Sequence, residues 1–217
     1  MRSTGLVAAK AVVHALALAP LAVLAWKAWQ VASGADIDAL GADAVAAIEH
    51  ELGTWALRLL LLTLAVTPLR QLTGQAVLLR FRRMLGLYAF AYASLHLGAW
   101  LGLDLGGYWT LLFEEIAKRP DVTVGFAAWL LLVPLAVTST RGWMSRLGRH
   151  WGRLHRLVYA IAVLAVLHFW WIVKSDYREP LLYAVLLALL LGWRVRAQRS
   201  RRRGRAAAPR SARAEQQ

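Results

Sequence analysis

Cysteine is absent from this chain of 217 residues. Without thiols the protein has no disulfides, thiolate metal ligands, iron–sulfur clusters or cysteine nucleophiles, and no CxxCH sequence to attach a c-type haem. Charge is also scarce: 18% of the residues are charged and 59% are hydrophobic, whereas ordinary soluble domains have about 25% and 45–50%. This composition argues against a soluble enzyme, a coiled coil or a disordered chain for most of the sequence.

Long apolar segments account for the composition. A transmembrane helix needs about 20 mostly apolar residues, and the sequence contains six such segments, near residues 8–29, 52–70, 84–103, 122–140, 151–173 and 180–198. The sequence therefore predicts an all-α membrane protein whose residues 1–198 form one six-transmembrane-helix bundle. Residues 199–217 are predicted to be a basic, disordered tail.

The charged residues divide between the two sides of the predicted bundle. The termini and the second and fourth connections carry 20 of the 26 Lys and Arg residues, whereas the other connections carry 11 of the 12 acids. Lys and Arg collect on the cytoplasmic side of membrane proteins, so both termini are predicted to be cytoplasmic. The basic run 194–205 is predicted to face anionic lipid, and the net charge of +14 then needs no nucleic acid to explain it.

The outer connections are acidic and long. The first, residues 30–51, contains five acids and no Lys or Arg, and the third connection covers 104–121. These two segments are long enough to form a docking surface for a partner protein. Their composition is equally well explained by the sidedness of charge in membrane proteins.

Histidines occur inside otherwise apolar spans: His96 in the third, and His155 and His168 in the fifth. Ionisable residues within a membrane are costly and usually functional. Since both spans run outward, His96 and His168 both lie roughly 8–10 Å below the outer surface. Two imidazoles at one depth favour axial ligation of a b-type haem, although either one alone could simply bond to a neighbouring helix. Carboxylates of a di-iron site are missing from the spans.

Arg58 is the one charge deep within a span, near the level of this histidine pair. It either neutralises a haem propionate or extends to the outer headgroups. His155 lies about 20 Å deeper than His168. His14 is the one other intramembrane histidine near that depth, whereas His50 and His150 are expected to be solvated.

Arginines surround the cytoplasmic end of the third and fifth spans, where His155 lies. They are Arg82, Arg83, Arg153 and Arg156. Their permanently charged planar groups suit the propionates of a second haem. For any single arginine, contact with lipid phosphates is the simpler interpretation.

Several stretches of the sequence resemble one family. They are RRMLGLYAFAYASLH (82–96), TSTRGWMSRLGRHWGRLHRLVY (138–159) and LHFWW (167–171), with TPL (67–69) and KSDYREPLLYA (174–184) in support. In this order they resemble the MsrQ family, the haem-binding membrane subunits of the periplasmic protein-methionine-sulfoxide reductase system. That family belongs to the ferric-reductase-like transmembrane group.

The resemblance implies a bacterial inner-membrane protein with one or two b-type haems and FMN. The haem-linked histidines of the family fall on His96, His155 and His168, and the arginines named above become candidates for the FMN phosphate. The wider group has two histidines on each of two helices, whereas the third span here has one, so the number of haems stays open.

The resemblance also implies the partners. Electrons would come from the quinol pool or from a cytosolic flavin reductase, and would pass to a periplasmic molybdopterin-containing methionine sulfoxide reductase. The chain itself would be an electron-transfer subunit without catalytic residues. Two alternatives stay open: a stand-alone ferric or cupric reductase, and a transporter or assembly scaffold whose histidines bind no haem.

Overall fold

The computed structural model describes residues 3–173 and 176–207, and within them the chain is helical without β-strands. The α-helices are α1 (Ser3–Ser33), α2 (Ala44–Thr73), α3 (Leu79–Ala99), α4 (Trp109–Lys118), α5 (Pro120–Val137), α6 (Arg141–Leu147), α7 (Arg149–Leu154), α8 (Leu157–Ile172) and α9 (Arg178–Ala207). Six helical segments are long and apolar enough to cross a membrane: Thr4–Ser33, Ala44–Thr73, Ala76–Asp104, Pro120–Val137, Arg149–Ile172 and Arg178–Ser200. This confirms the prediction of an all-helical membrane protein with six spans.

Helix α2 extends beyond its predicted span, 52–70, at both ends because both ends are capped. The Asp43 carboxylate accepts a hydrogen bond from the Ala46 backbone N–H at 2.9 Å, which satisfies a donor of the first turn. Gly74 ends the helix in the left-handed conformation, with φ at 70°, and its N–H donates to the Arg70 carbonyl. Much of the acidic segment 30–51 is therefore helical, and the outer connection itself covers 34–43.

The fifth span is two helices rather than the single helix predicted over 151–173. Helix α7 ends at Leu154, α8 begins at Leu157, and His155 and Arg156 form a turn between them. The third span continues past α3 through a π-helical turn, Trp100–Asp104, and such turns often mark functional positions.

Two antiparallel helix pairs form the centre of the bundle. The most extensive helix–helix contacts join α2 to α3 and α5 to α8, and α3 also contacts α5. Helix α9 packs on α8 and α2, while α1 contacts α2 and α3 from outside. Ile161 and Ala162 of α8 have no exposed surface. The apolar side chains that point outward, such as Leu16, Leu62 and Leu189, are those that a bilayer would cover.

A tyrosine attaches α1 to α3 near Pro20. The buried Tyr92 hydroxyl donates to the Ala17 carbonyl at 2.7 Å and accepts from the Leu21 N–H at 3.1 Å. It therefore bridges a donor and an acceptor that are one helical turn apart, beside a proline that has no N–H of its own.

Helix α9 reaches Ala207, so the first part of the predicted disordered tail, 199–207, is helical. Residues 208–217 lie outside the described residues.

Candidate functional site

The structure brings His96 and His168 together. Their ring centres are 6.1 Å apart and their planes are inclined by 72°. Metal–imidazole bonds are about 2 Å long, so two rings that ligate one metal from opposite sides have centres roughly 6 Å apart. The observed separation fits that arrangement.

Backbone carbonyls hold both rings by the same nitrogen. His96 Nδ1 lies 2.9 Å from the Glu49 carbonyl oxygen, and His168 Nδ1 lies 2.7 Å from that of Asp121. Because a carbonyl only accepts, Nδ1 carries the proton and donates in each case. Each Nε2 is then a bare acceptor, and within residues 3–173 and 176–207 neither has a hydrogen-bond partner. This is the state in which a histidine ligates a metal.

Glycines make room for the two rings. A Cβ built on Gly125 would lie 2.6 Å from His168 Cε1, and one built on Gly53 would lie 3.2 Å from His96 Cε1. Each glycine lies one helical turn after the residue whose carbonyl accepts the hydrogen bond from the histidine. Neither these glycines nor these carbonyls were predicted from the sequence.

The arrangement of a histidine bonded to a backbone carbonyl occurs twice in the site. In both halves the carbonyl lies 47 residues before its histidine. The sequence repeats in parallel: LAVTPLR at 64–70 returns as LAVTSTR at 135–141, and LH at 95–96 returns at 167–168. This internal repeat is the sequence pattern that identifies the α2–α3 and α5–α8 pairs as similar units.

A cavity of about 540 Å³ opens beside the histidine pair, within the range of cofactor sites. Its lining is largely apolar and aromatic, and beside the two histidines it includes the ionisable residues Glu49, His50, Asp104, Arg119 and Asp121. In the described part of the chain no group of three or more His, Cys, Asp or Glu side chains could hold a metal ion. Two histidines nevertheless suffice for haem, whose macrocycle supplies the other ligands. The residues present therefore fit a b-type haem.

Arg119 is a cation at this cavity that the sequence analysis did not single out. Its guanidinium contacts the Asp121 carboxylate at 3.1 Å and that of Glu115 at 3.5 Å. His50 also lines the cavity, with its ring 5.9 Å from that of Phe169. Its side chain is 53% exposed, as expected for a solvated histidine.

Arg58, in contrast, does not line the cavity. Its Nε donates to the Tyr183 hydroxyl of α9 at 2.8 Å, and its guanidinium lies 5.0 Å from the centre of the Trp55 ring. Arg58 therefore pairs with side chains of the protein itself, whereas the sequence suggested either a haem propionate or the lipid headgroups as its partner.

His155 lies at the turn between α7 and α8 and does not line the cavity beside His96 and His168. Its ring stacks on Trp151 with centres 4.0 Å apart, and its Nε2 lies 3.1 Å from Thr138 Oγ1. His14, the other candidate near this depth, pairs instead with the Tyr88 hydroxyl at 2.7 Å.

The four arginines that the sequence places near His155 have different surroundings. Arg83 Nη1 donates to the Ser139 carbonyl at 3.4 Å, whereas Arg82 lines a separate groove beside α9. Arg153 and Arg156 are exposed.

A family model described as the ferric reductase like transmembrane component matches residues 52–166. Over 201 residues the chain is 70% identical to the protein-methionine-sulfoxide reductase heme-binding subunit MsrQ of Xanthomonas euvesicatoria, which covers 93% of this chain and 92% of the relative. This chain belongs to the MsrQ family. The MsrQ of Bordetella pertussis is 53% identical over 171 residues, 78% of this chain and 82% of that protein. No solved structure matches the chain.

The region of this MsrQ-family chain that matches the ferric-reductase model contains most of the site. It includes Gly53, His96, Gly125 and His155, and it ends shortly before His168. These relatives are named as heme-binding subunits of protein-methionine-sulfoxide reductase.

Proposed function

We propose that this chain is a membrane cytochrome b that carries electrons across the bacterial inner membrane to a periplasmic, molybdenum-containing methionine sulfoxide reductase. The activity would serve the repair of oxidised periplasmic proteins. The observation that carries the proposal is the pair His96 and His168, with ring centres 6.1 Å apart and both Nε2 atoms available.

His96 and His168 are the residues that would hold a b-type haem, which supplies reversible one-electron transfer when bound. The Glu49 and Asp121 carbonyls fix the tautomer and orientation of the two rings, and such outer contacts strongly affect metal affinity. Of the two arginines, Arg119 is the one that lines the cavity, and a haem propionate there would compete with Asp121 and Glu115 for its guanidinium.

We also propose a second redox cofactor near His155 on the cytoplasmic side, either another haem or FMN. Support comes from the position of His155 at a helix break beside Trp151, and from the inner arginines, Arg82, Arg83, Arg153 and Arg156. A cytosolic flavin reductase or the quinol pool would donate electrons there. A His155→Ala protein with unchanged haem, flavin and electron-transfer rate would remove this part of the proposal.

Electrons would enter at the basic face and leave at the acidic one, with both termini in the cytoplasm. The acidic segment 30–51 is proposed to contribute to docking of the periplasmic reductase. Three of its acids have other roles in the structure: Asp43 caps α2, Glu49 lines the cavity, and Asp36 accepts a hydrogen bond from the Asp38 N–H at 3.1 Å. Asp36→Asn would neutralise the charge and keep that acceptor. Asp36, Asp38 and Glu51 are therefore the acids best suited to test docking.

A reduced-minus-oxidised spectrum of the purified protein, with extraction of haem and flavin, tests the proposal directly. A low-spin b-type spectrum is expected, and His96→Ala and His168→Ala should each abolish or sharply reduce it. Full retention in both variants would contradict the assignment. The ferric-reductase family match also favours a stand-alone metal reductase as a second candidate; reduction of ferric or cupric ions without any soluble partner would support it.

A further inference from the structure

A groove of about 360 Å³ lies between α2, α3, α8 and α9, on the basic side of the bundle. Its walls include the apolar residues Leu64, Leu79, Leu190 and Leu191 together with Tyr159 and Trp193. Trp193 Nε1 donates to Gln71 Oε1 at 2.7 Å, which joins α9 to α2 at the groove. The groove is separate from the histidine cavity and shares no residue with it.

Three arginines, Arg70, Arg82 and Arg194, line this groove without any acidic residue among its lining. In the described part of the chain none of the three forms an ion pair with a carboxylate. Three cations with no countercharge in one groove would repel one another, and an anion would relieve that repulsion.

Arg194 is the most constrained of the three. Its guanidinium lies 4.5 Å from the centre of the Tyr159 ring, and its Nε is buried without a hydrogen-bond partner within residues 3–173 and 176–207. A buried donor of a charged group is costly to leave unpaired. Because Arg194 also lines the groove, an oxygen-rich anion there would meet its guanidinium.

We propose that this groove binds the phosphate of an anionic phospholipid, with Arg70 and Arg194 around the phosphate and the acyl chains along the apolar wall. Basic pockets between membrane helices on the cytoplasmic side suit such headgroups, and the planar arginine fork matches phosphate oxygens. The neighbouring Leu69 and Leu189 are 46% and 65% exposed. The apolar wall beside the cations is what favours a lipid over a soluble phosphate.

Native mass spectrometry of the purified protein tests the proposal, with phosphatidylglycerol, phosphatidylcholine, FMN and inorganic phosphate as separate probes. Arg70→Gln and Arg194→Gln lie on different helices, and each should weaken phosphatidylglycerol binding about fivefold. Arg196→Gln is the matched control, because Arg196 is exposed on the same helix and does not line the groove. It should bind phosphatidylglycerol like the unmodified protein, and phosphatidylcholine should bind weakly throughout.

Equal phosphatidylglycerol binding by Arg70→Gln, Arg194→Gln and the control would overturn the proposal. Loss of FMN or inorganic phosphate with phosphatidylglycerol binding unchanged would also overturn it, because the groove would then hold a soluble phosphate. The thermal melting curve of each variant identifies a folding defect. The haem spectrum reports on His96 and His168, so failure of the lipid site and of the proposed electron-transfer function can be distinguished.

Discussion

Gly125→Ala should damage the histidine site without removing either histidine. The added Cβ would lie 2.6 Å from Cε1, 2.7 Å from Nδ1 and 2.9 Å from Nε2 of His168. These separations are too short for non-bonded atoms, so the imidazole must move. In ordinary van der Waals contact the atoms are at least 3.4 Å apart. A displacement of roughly 0.8 Å is therefore required to relieve the overlap.

This displacement acts on the hydrogen bond that orients the ring. His168 Nδ1 lies 2.7 Å from the Asp121 carbonyl, and a shift of that size would lengthen or misalign the bond. Loss of such an outer contact typically lowers metal affinity about 10- to 100-fold. We expect haem affinity to fall at least about tenfold, or roughly 1.4 kcal/mol.

Haem titration of the apo-protein and the low-spin electron paramagnetic resonance signal measure this effect. Gly53→Ala should have a smaller one, since its Cβ would lie 3.2 Å from His96 Cε1. Gly98→Ala is the control: it lies on the same helix as His96, and its Cβ would meet no atom within 4 Å. An unchanged haem affinity and low-spin signal in Gly125→Ala would refute the reasoning. So would equal damage in all three variants.

Three further predictions follow from contacts outside the histidine pair. Arg58→Gln should lower the free energy of unfolding by about 1–3 kcal/mol and leave the haem content unchanged, because Arg58 bonds to Tyr183 and does not line the cavity. Thermal melting and haem extraction measure the two effects, and loss of haem from a stable variant would show that Arg58 does contact a haem propionate. Tyr92→Phe should cost a similar amount by leaving the Leu21 N–H and the Ala17 carbonyl unbridged, and a melting temperature equal to that of the unmodified protein would contradict this. Neutralising Asp36, Asp38 and Glu51 together should slow electron delivery to the periplasmic reductase and weaken the salt dependence of that delivery, while the haem spectrum stays intact. An unchanged rate with an unchanged salt dependence would exclude docking at this segment.

Hydrophobicity and charge in the sequence alone predict the six spans. Spans such as 84–103 lack charge altogether, and a bilayer tolerates such segments only as helices or closed barrels with internally paired backbones. The depth of His96 and His168 follows from the same counting, because a helix rises by a constant 1.5 Å per residue. These properties depend only on local sequence, which is why they could be predicted.

Three-dimensional packing decided which groups meet. Whether Arg58 contacts a propionate, a headgroup or Tyr183 depends on which helix lies beside α2, and the spacing of residues along one helix carries no such information. The break at His155 is likewise a tertiary feature. There the Nε2 meets Thr138 Oγ1 and the ring stacks on Trp151, whereas a continuous helix would have carried the side chain to another face.

The carbonyl of Glu49 and the glycine at 53 illustrate the same division. Any residue supplies a carbonyl, so nothing in the identity of Glu49 marks it as the group that orients His96. Gly53 becomes meaningful only when the antiparallel α3 brings the His96 ring to 3.2 Å from its missing Cβ. The sequence determined which residues could ligate a haem and at what depth they lie, and the packing of α2 on α3 and of α5 on α8 decided how those residues are held.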